Sequence, residues 1–543
     1  MHRNYMAGQE NNKTEQSLQA RDFFHSVIRP LGRGVFLLFC ILATAIFWAV
    51  SFPKLSYAGY AWIAFLPFVW GLTKIRHFST CVAYGWLTGF LFYAFTLYWI
   101  YYTCLHGGNL SKGLSLAAWW GLSGLLAIQV ALFSGSCFYL KRTGVYFPLL
   151  AAFGWVTFEW IHQTVAFYTI GFPWLMLGGS QWNFPETVQL VSLTGVYGLS
   201  FCLMWCGAQL GWMLTNPSVK KIAGSMLLVL AVFFSVYSFG HYRLERFGKI
   251  NKHQSLLSLQ AALMQPNIDQ YKKWNEAYET EIRDTVVAMG SQIAPGTALL
   301  TVWPESVAPG PLTEETESSV FEKIAVESES FQLVGSFLPS GEEQYVGAYL
   351  VAPDTDTWQI YQKIKLVPFG EFIPFASGLQ KLFPDVEVLG ELGSFSPGPA
   401  KQKLLGLNGV LLGSTICYES IFPQLWVSQA RKGAKLFVNI TNDAWFFDTA
   451  APYQHLVANV LRAVETGRPV LRAANTGFSA VINPVGTIEQ KSKLFSREIL
   501  MASVSLPIGD HQTFYVQWGD WFAWLCVVVF FTLLISTIVF AYE

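Results

Sequence analysis

Eight apolar stretches constrain the fold of this chain more than any other feature of its sequence. They lie at about residues 34–52, 57–73, 80–101, 114–140, 146–162, 188–214, 222–240 and 517–541. Each is close to the roughly 20 residues that cross about 30 Å of hydrocarbon as a helix. Hydrophobic residues make up 52% of the chain and charged residues only 13%, a composition that indicates an integral membrane protein. The sequence predicts seven spans before a large polar region and one span after it.

The charges of the connecting loops predict how these spans are oriented. Basic residues occupy alternate loops: Arg29 and Arg33, Lys74 and Arg76, Lys141 and Arg142, and Lys220 and Lys221. By the positive-inside rule the N-terminus is cytoplasmic, and seven crossings place the polar region on the opposite side. The predicted domains are a cytoplasmic tail (1–30), a seven-helix transmembrane region (31–240), an outer-side domain (241–516) and a C-terminal transmembrane helix (517–543).

One cysteine stands alone in the polar region. Cys417 is the only cysteine between Ser238 and Phe514, on the side of the membrane where disulfides are permitted. An unpaired cysteine there is a liability unless its thiolate is used, although a small hydrophobe at a strand end is the competing interpretation. Tyr418 and Glu419 favour the reactive thiol, because a core strand rarely continues into a carboxylate.

Charge and histidine spacing exclude other classes of function. The formal net charge is zero, so bulk electrostatics indicate no nucleic-acid partner. The nine histidines are scattered and are never paired with cysteines at zinc spacing. We therefore expect neither a metal nor a cofactor.

The polar region alternates short apolar runs with amphipathic segments. Strands are predicted at Leu259–Gln265, Ala298–Trp303, Phe331–Phe337, Tyr345–Val351, Trp358–Ile364, Val410–Ile416, Lys435–Ile440, Val470–Ala474 and Ser479–Ile482. Helices are predicted at Asn275–Ile293, Glu315–Glu327 and Tyr453–Glu465. This mixed alternation favours an α/β sandwich whose sheets are covered by helices.

Three of the apolar runs end in reactive side chains. Glu305 occurs in TVWPES, Lys363 and Lys365 in YQKIKLVPFGEFIPF, and Cys417 in LLGSTICYES. A carboxylate, an ammonium and a thiol at strand ends can meet on one rim of a sheet, as nucleophilic catalysis requires. Residues two apart share a strand face, so the spacing alone leaves both lysines as candidates.

These motifs, with NITNDAWF and RAANTGFSAVINPVG further on, resemble the carbon–nitrogen hydrolase (nitrilase) superfamily. The order of the spans and the GFPW segment at Gly171–Trp174 resemble its membrane branch, the bacterial apolipoprotein N-acyltransferases. The resemblance covers essentially the whole chain and implies an αββα sandwich in the periplasm, anchored in the inner membrane. In one departure, the family's NDAWFG is replaced by NDAWFFD at Asn442–Asp448.

The resemblance implies a Glu–Lys–Cys triad. Glu305 would be the general base that takes the proton from Cys417, and Lys363 would hold the oxyanion. Lys363 is preferred to Lys365 because the family lysine stands eight positions before the glutamate of PFGE, here Glu371. Glu371 resembles the family's second carboxylate and would pair with Lys363 or hydrogen-bond the acyl intermediate.

Further site residues are implied by their positions in the motifs. Tyr418 and Glu419 match the two positions after the family nucleophile and would shape the oxyanion pocket, with the Tyr418 backbone amide as a donor. Trp274 and Pro374 match positions that line the substrate cleft in the family. An aromatic residue in a charged stretch is equally typical of a packing anchor, so both interpretations of Trp274 stay open.

Polar and aromatic residues near the outer membrane face complete the predicted site. Glu159 is an ionisable residue in an apolar span and so a candidate for substrate binding, with pairing to His162 or to a loop amide as the alternative. An aromatic girdle is predicted to anchor the protein at the membrane interface. Its members are Tyr98, Trp99, Tyr101, Tyr102, Trp174 and Trp182.

The resemblance implies a ping-pong reaction carried out by a monomer. An acyl chain from a glycerophospholipid, typically phosphatidylethanolamine, would load onto Cys417 as a thioester. The α-amine of a diacylglyceryl-cysteine at the N-terminus of an apolipoprotein would then accept it. Two rivals remain: a membrane-anchored thiol amidohydrolase, and a non-enzymatic membrane scaffold with a vestigial triad.

Overall fold

The computed structural model describes residues 29–215, 217–253, 257–273, 275–308, 310–312, 315–341, 343–354, 358–374, 395–507, 509 and 511–542. Residues 1–28 of the polar tail that was predicted at residues 1–30 lie outside the described residues. The described chain forms an N-terminal helical region, a two-sheet domain and a C-terminal helix. This is the coarse architecture that the sequence predicts.

Long apolar helices build the N-terminal region. They are α1 (Arg29–Val50), α2 (Phe65–Thr73), α3 (Phe78–Thr96), α4 (Lys112–Leu140), α5 (Phe147–Tyr168), α6 (Val196–Met213) and α7 (Val219–His253). Their packing is largely aromatic. Trp48 of α1 lies 3.5 Å from Phe92 of α3, ring centre to ring centre, and contacts Trp155 of α5 edge-on. In a membrane, where lipid is as apolar as leucine, such close van der Waals packing holds helices together.

Five helical segments of the described chain are long and apolar enough to cross a membrane: Gly32–Val50, Phe78–Thr96, Lys112–Tyr168, Val219–Lys249 and Trp521–Val539. A sixth is obtained if Pro185–Thr194 and Val196–Met213, bent by 118°, form one span. The segment Lys112–Tyr168 holds both α4 and α5, which are separated at Gly144, a residue with a positive φ of 64°. By this measure the chain is a membrane protein with several spans, and the predicted number of eight stays a prediction.

Two six-stranded sheets form the second domain. The strands are β1 (Leu257–Gln265), β2 (Leu300–Val302), β3 (Phe331–Ser340), β4 (Glu343–Val351), β5 (Trp358–Gln362), β6 (Leu405–Leu407), β7 (Val410–Ile416), β8 (Leu436–Thr441), β9 (Val470–Ala474), β10 (Ala480–Ile482), β11 (Ile488–Lys491) and β12 (Glu498–Leu506). Their orders are β12-β1-β2-β3-β4-β5 and β11-β10-β9-β8-β7-β6. All nine predicted strands are present, whereas β6, β11 and β12 were not predicted.

Helices cover the outer face of each sheet, as an αββα sandwich requires. These helices are α8 (Glu279–Gly290), α9 (Glu315–Ser328), α10 (Pro423–Arg431) and α11 (Ala451–Thr466). Leu263 and Leu412 belong to the apolar core between the sheets. Met264 packs with α8 and α9 on the other face of β1, and Phe437 packs with α10 and α11. Alternate residues of a strand therefore serve two different cores.

The first and last strands of the sandwich pair with each other. β1 and β12 run antiparallel, and Leu257 at the start of β1 lies opposite Leu506 at the end of β12. The preceding helix α7 extends to His253, well past the predicted span, and α12 (Trp521–Tyr542) follows β12 after a short helix, Phe514–Trp518. Both connections to the membrane helices thus leave the same end of one strand pair.

Hydrogen bonds join the sandwich to the N-terminal helices. The indole N–H groups of Trp99 and Trp174 both donate to Oε1 of Gln454 in α11, at 3.1 and 2.8 Å. Trp99 is only 2% exposed. The predicted role of Trp99 as an interface anchor is therefore wrong, because its side chain is buried between the two domains instead of facing lipid.

The inter-sheet core predicts which of two neighbouring leucines stabilises the sandwich. Leu412→Ala removes a fully buried side chain and should lower the free energy of unfolding by about 2–5 kcal/mol. Leu411, one residue earlier, is exposed near the start of β7. Leu411→Ala is therefore the matched control and should change the free energy of unfolding by only about 0.5 kcal/mol. Thermal or denaturant unfolding of the purified protein in detergent measures both values. Equal losses would contradict the assignment of faces.

Candidate active site

Cys417 stands at the end of the buried strand β7, where the chain turns sharply. It has a positive φ of 51° and begins a 3-10 turn that extends to Ile421. A positive φ is uncommon for a residue with a side chain and occurs at sites where the surrounding structure holds the strain. Burial raises the pKa of the Cys417 thiol, the charge of Glu305 adds to this effect, and Lys363 opposes it. The resting thiol is therefore protonated at neutral pH and needs a base.

Lys363 lies fully buried between two carboxylates. Its Nζ is 2.9 Å from Oε1 of Glu305 and 2.5 Å from Oε1 of Glu371. Burial alone would lower the pKa of Lys363, but the two carboxylates outweigh burial and raise it well above its usual value. The side chain is thus a permanent cation close enough to Cys417 to affect the thiol.

Backbone amides hold both carboxylates in place. The second oxygen of Glu305 accepts the N–H of Asn442 at 3.0 Å, and that of Glu371 accepts the N–H of Val367 at 2.9 Å. Each carboxylate therefore uses one oxygen for Lys363 and the other for the main chain. Burial raises the pKa of Glu371, against the opposing charge of Lys363. Of the two arrangements expected for Glu371, the structure shows the pairing with Lys363.

Glu419 bonds both to the segment that carries Cys417 and to the segment that carries Lys363. Its fully buried carboxylate accepts the N–H of Ile416 at 2.8 Å and the N–H groups of Ile364 and Lys365 at 2.6 and 3.1 Å. The hydroxyl of Tyr361 also donates to it. Burial raises the Glu419 pKa to about 7, against these backbone donors. With these contacts the side chain sets the distance between the β7 end and the lysine segment.

Tyr418 and Lys365 both reach towards the N-terminal helices. The Tyr418 hydroxyl donates to the carbonyl of Gly171 at 2.6 Å, and its ring lies parallel to that of Phe172. The ammonium of Lys365 donates to the carbonyl of Phe167 and lies 4.5 Å from the centre of that ring. Of the two candidate ammonium groups, that of Lys363 bonds to Glu305 and Glu371, whereas that of Lys365 bonds to Phe167.

Three further residues were predicted to contribute to the site: Glu159, Pro374 and Trp274. Glu159 is buried in α5, and its Oε1 accepts the N–H of Leu177 at 2.7 Å, so it binds the loop amide and not His162. Glu159 lines a small cavity together with Trp155 and Trp174, and its Oε2 is buried. Pro374 is buried at the end of a described segment, and Trp274 lies outside the described residues.

The loop that departs from the family motif adopts a conformation suited to glycine. Phe447 stands where the motif has glycine, with φ 51° and ψ −163°. This region of backbone space is essentially restricted to glycine. The Phe447 ring packs edge-on against His106, and the next residue, Asp448, pairs with Lys54 at 2.8 Å. Contacts with the N-terminal region thus hold a conformation that the residue itself disfavours.

Sequence reasoning missed a polar cluster behind the nucleophile. His455 in α11 contacts the carbonyl of Cys417 and the carboxylate of Asp443, which also pairs with Arg472. A lone histidine on an amphipathic helix gives no signal of such a contact. Asp443 lies in the NDAWF motif, and that position is the only indication that the sequence offers.

A buried thiol beside a lysine and two carboxylates, at the strand ends of an αββα sandwich, defines a carbon–nitrogen hydrolase. Residues 260–508 match the family model of the carbon–nitrogen hydrolases. Residues 44–209 match that of the apolipoprotein N-acyltransferase N-terminal domain. Because a curated apolipoprotein N-acyltransferase is also 35% identical over 88% of this chain, the chain belongs to the apolipoprotein N-acyltransferase family.

Relatives match nearly the whole chain. The apolipoprotein N-acyltransferase of Geobacter metallireducens is 35% identical over 88% of this chain and 91% of its own length. That of Haemophilus ducreyi is 29% identical over 85% of this chain and 89% of its own length. The family resemblance predicted from the motifs is therefore confirmed.

The buried ammonium predicts a difference between the two lysines. Lys363→Met removes the charge that favours the thiolate, so alkylation of Cys417 by iodoacetamide at pH 8 should slow by about tenfold or more. Lys365→Met is the matched control and should alter the rate by less than about twofold, because its ammonium contacts only Phe167. Mass spectrometry of the alkylated peptide measures the rate, and equal slowing by both variants would refute the assignment of Lys363.

Proposed function

We propose that this enzyme transfers an acyl chain from a glycerophospholipid, through a thioester on Cys417, to the α-amine of diacylglyceryl-cysteine in apolipoproteins. The observation that carries the proposal is the burial of Lys363 between Glu305 and Glu371, beside an unpaired thiol, in a chain of this family. The curated relatives bear the name of this activity. No observation favours the thiol amidohydrolase.

The geometry supports a two-stage mechanism. Glu305 takes the thiol proton, and the Cys417 sulfur attacks the ester carbonyl of the donor lipid. The oxyanion forms beside the Lys363 ammonium, whose fixed charge stabilises the tetrahedral intermediate without reorganisation. Collapse forms the thioester and breaks the ester bond, and the proton held by Glu305 passes to the departing lysophospholipid oxygen.

The second stage reverses these roles with an amine. The acceptor α-amine attacks the thioester carbonyl, Glu305 takes a proton from the nitrogen, and the Cys417 sulfur leaves as the amide forms. The thiolate then regains its proton from Glu305. Tyr418, next to the nucleophile, is bonded to Gly171 of the N-terminal region, which supports delivery of both substrates from the membrane side.

The same proposal includes the membrane arrangement. Eight spans result if Ala58–Thr73 and the bent pair each count as one and Lys112–Tyr168 counts as two. The loop charges and the family resemblance support an N-terminus in the cytoplasm, residues 31–240 and 517–543 in the inner membrane, and residues 241–516 in the periplasm. Phosphatidylethanolamine as the donor and a monomeric enzyme belong to this proposal too.

Substrate contacts are proposed for three further residues. Glu159 lines a cavity together with Trp174, three residues after Gly171, which contacts Tyr418. Pro374 is buried near Glu371 in the chain. Trp274 follows the buried Lys273, whose ammonium donates to the carbonyl of Glu305 at 3.2 Å. All three remain predictions for the substrate cleft.

Acyl loading should require the thiol of Cys417 and no other cysteine. Incubation of the purified protein with phosphatidylethanolamine should add the mass of one acyl chain to the Cys417 peptide. Cys417→Ala should abolish the adduct, and Cys417→Ser should leave at most a trace because the hydroxyl is far less acidic. Cys104→Ala, which changes a cysteine in an outer loop, is the control and should load normally.

The fate of the thioester separates the two enzymatic hypotheses. Addition of a diacylated lipopeptide should discharge the adduct and yield the N-acylated product. Release of free fatty acid at the same rate with and without the lipopeptide would favour the hydrolase and overturn the transfer.

Membrane orientation is tested by labelling. Lys401→Cys, at an exposed position of the sandwich, should react with a membrane-impermeant maleimide in spheroplasts. Arg142→Cys, in a loop predicted to be cytoplasmic, should react only after lysis, and the unaltered protein corrects for native cysteines. The opposite pattern would place the site in the cytosol and contradict the proposal.

A further inference from the structure

His455 makes two hydrogen bonds to oxygen atoms at the base of the site. Its Nε2 lies 3.0 Å from the carbonyl oxygen of Cys417, and its Nδ1 lies 2.8 Å from Oδ1 of Asp443. The side chain is 1% exposed, so water does not compete for either bond. An acceptor oxygen therefore lies within hydrogen-bond distance of each ring nitrogen.

A buried ion network surrounds this ring. Oδ2 of Asp443 accepts Nη2 of Arg472 at 2.7 Å, and the same guanidinium nitrogen lies 3.2 Å from Nδ1 of His455. Burial would raise the pKa of Asp443, but Arg472 and His455 outweigh burial and lower it to about 2. Asp443 is therefore a carboxylate at every working pH, which orients the imidazole as carboxylates do in other histidine sites.

The helix that carries His455 is fixed by its neighbour. Gln454 accepts the indole N–H groups of Trp99 and Trp174 and donates from Nε2 to the carbonyl of Thr96 at 3.0 Å. All three partners belong to the N-terminal region. The position of His455 relative to Cys417 is thus set from two sides, by Asp443 in the sandwich and by Gln454 against the membrane helices.

We infer that His455 is a positioning residue for the nucleophile. It holds the Cys417 carbonyl and so keeps the residue in its positive-φ conformation, with the sulfur on the side of Glu305 and Lys363. The inference rests on the proposed role of Cys417 and adds a group that does not itself touch the substrate.

Substitution of His455 tests this role against a merely structural one. His455→Phe removes both donors but keeps a planar ring. It should lower kcat for N-acylation of a diacylated lipopeptide by about tenfold or more, with KM changed by less than about twofold. His455→Gln, whose amide retains one donor, should recover part of the loss. Thr466→Val, a buried substitution on the same helix whose hydroxyl bonds only within the helix, should leave kcat unchanged.

The pH dependence of Cys417 alkylation by iodoacetamide provides an independent measurement. The ionised groups around the sulfur and the imidazole are Glu305, Lys363, Asp443 and Arg472. Without the bond from His455 to its carbonyl, Cys417 should move away from the Lys363 ammonium that favours the thiolate, so His455→Phe should move the alkylation profile to higher pH. Thr466→Val should not move it. This measurement needs no lipid substrate, so it remains decisive even if the unaltered enzyme forms no acyl adduct and the proposed function fails.

Either of two results would overturn the inference. One is a His455→Phe variant that loses thermal stability but keeps both kcat and the alkylation profile. The other is a folded His455→Gln variant that recovers neither kcat nor the alkylation profile relative to His455→Phe or, if that variant does not fold, relative to His455→Ala, because the retained amide would then have no role at Cys417.

Discussion

The buried ammonium of Lys363 is the interaction on which the site depends. A lysine without water is costly, and this one is tolerated because two carboxylates lie within hydrogen-bond distance. The carboxylates are held in turn by main-chain amides of Asn442 and Val367, on segments that follow different strands. Removal of Lys363 would leave two buried carboxylates without a counterion, and removal of either carboxylate would take away one of the two partners of Lys363. The three groups therefore require one another, and the fold has to bring their segments together before chemistry is possible.

Much of this arrangement could be predicted from local sequence. The strands Val410–Ile416 and Val470–Ala474 have the predicted bounds, and both are short, mainly apolar runs of the kind that buried strands form. Spacing alone did not separate Lys363 from Lys365. The structure does so through long-range contacts, since one side chain faces the carboxylates and the other faces Phe167.

What sequence reasoning missed depends on partners distant in the chain. β12 contains small and polar residues and is a strand because it pairs with β1 at the other end of the domain. Tryptophan is typical of membrane interfaces, yet Trp99 is buried and its indole N–H donates to Gln454. His455 likewise gains its role only from the fold, which places α11 beneath the turn at Cys417. Local propensity cannot show which groups meet across such separations.

The pairing of β1 with β12 also determines how the sandwich is attached. Because both covalent connections to the membrane helices leave at one end of this pair, the chain itself fixes only one corner of the catalytic domain. The orientation of the two-sheet domain relative to the membrane helices therefore depends also on side-chain bonds between them, such as those of Gln454, Tyr418 and Asp448. Whether Cys417 can reach a lipid ester thus depends on the contacts between the two domains as well as on the residues of the site.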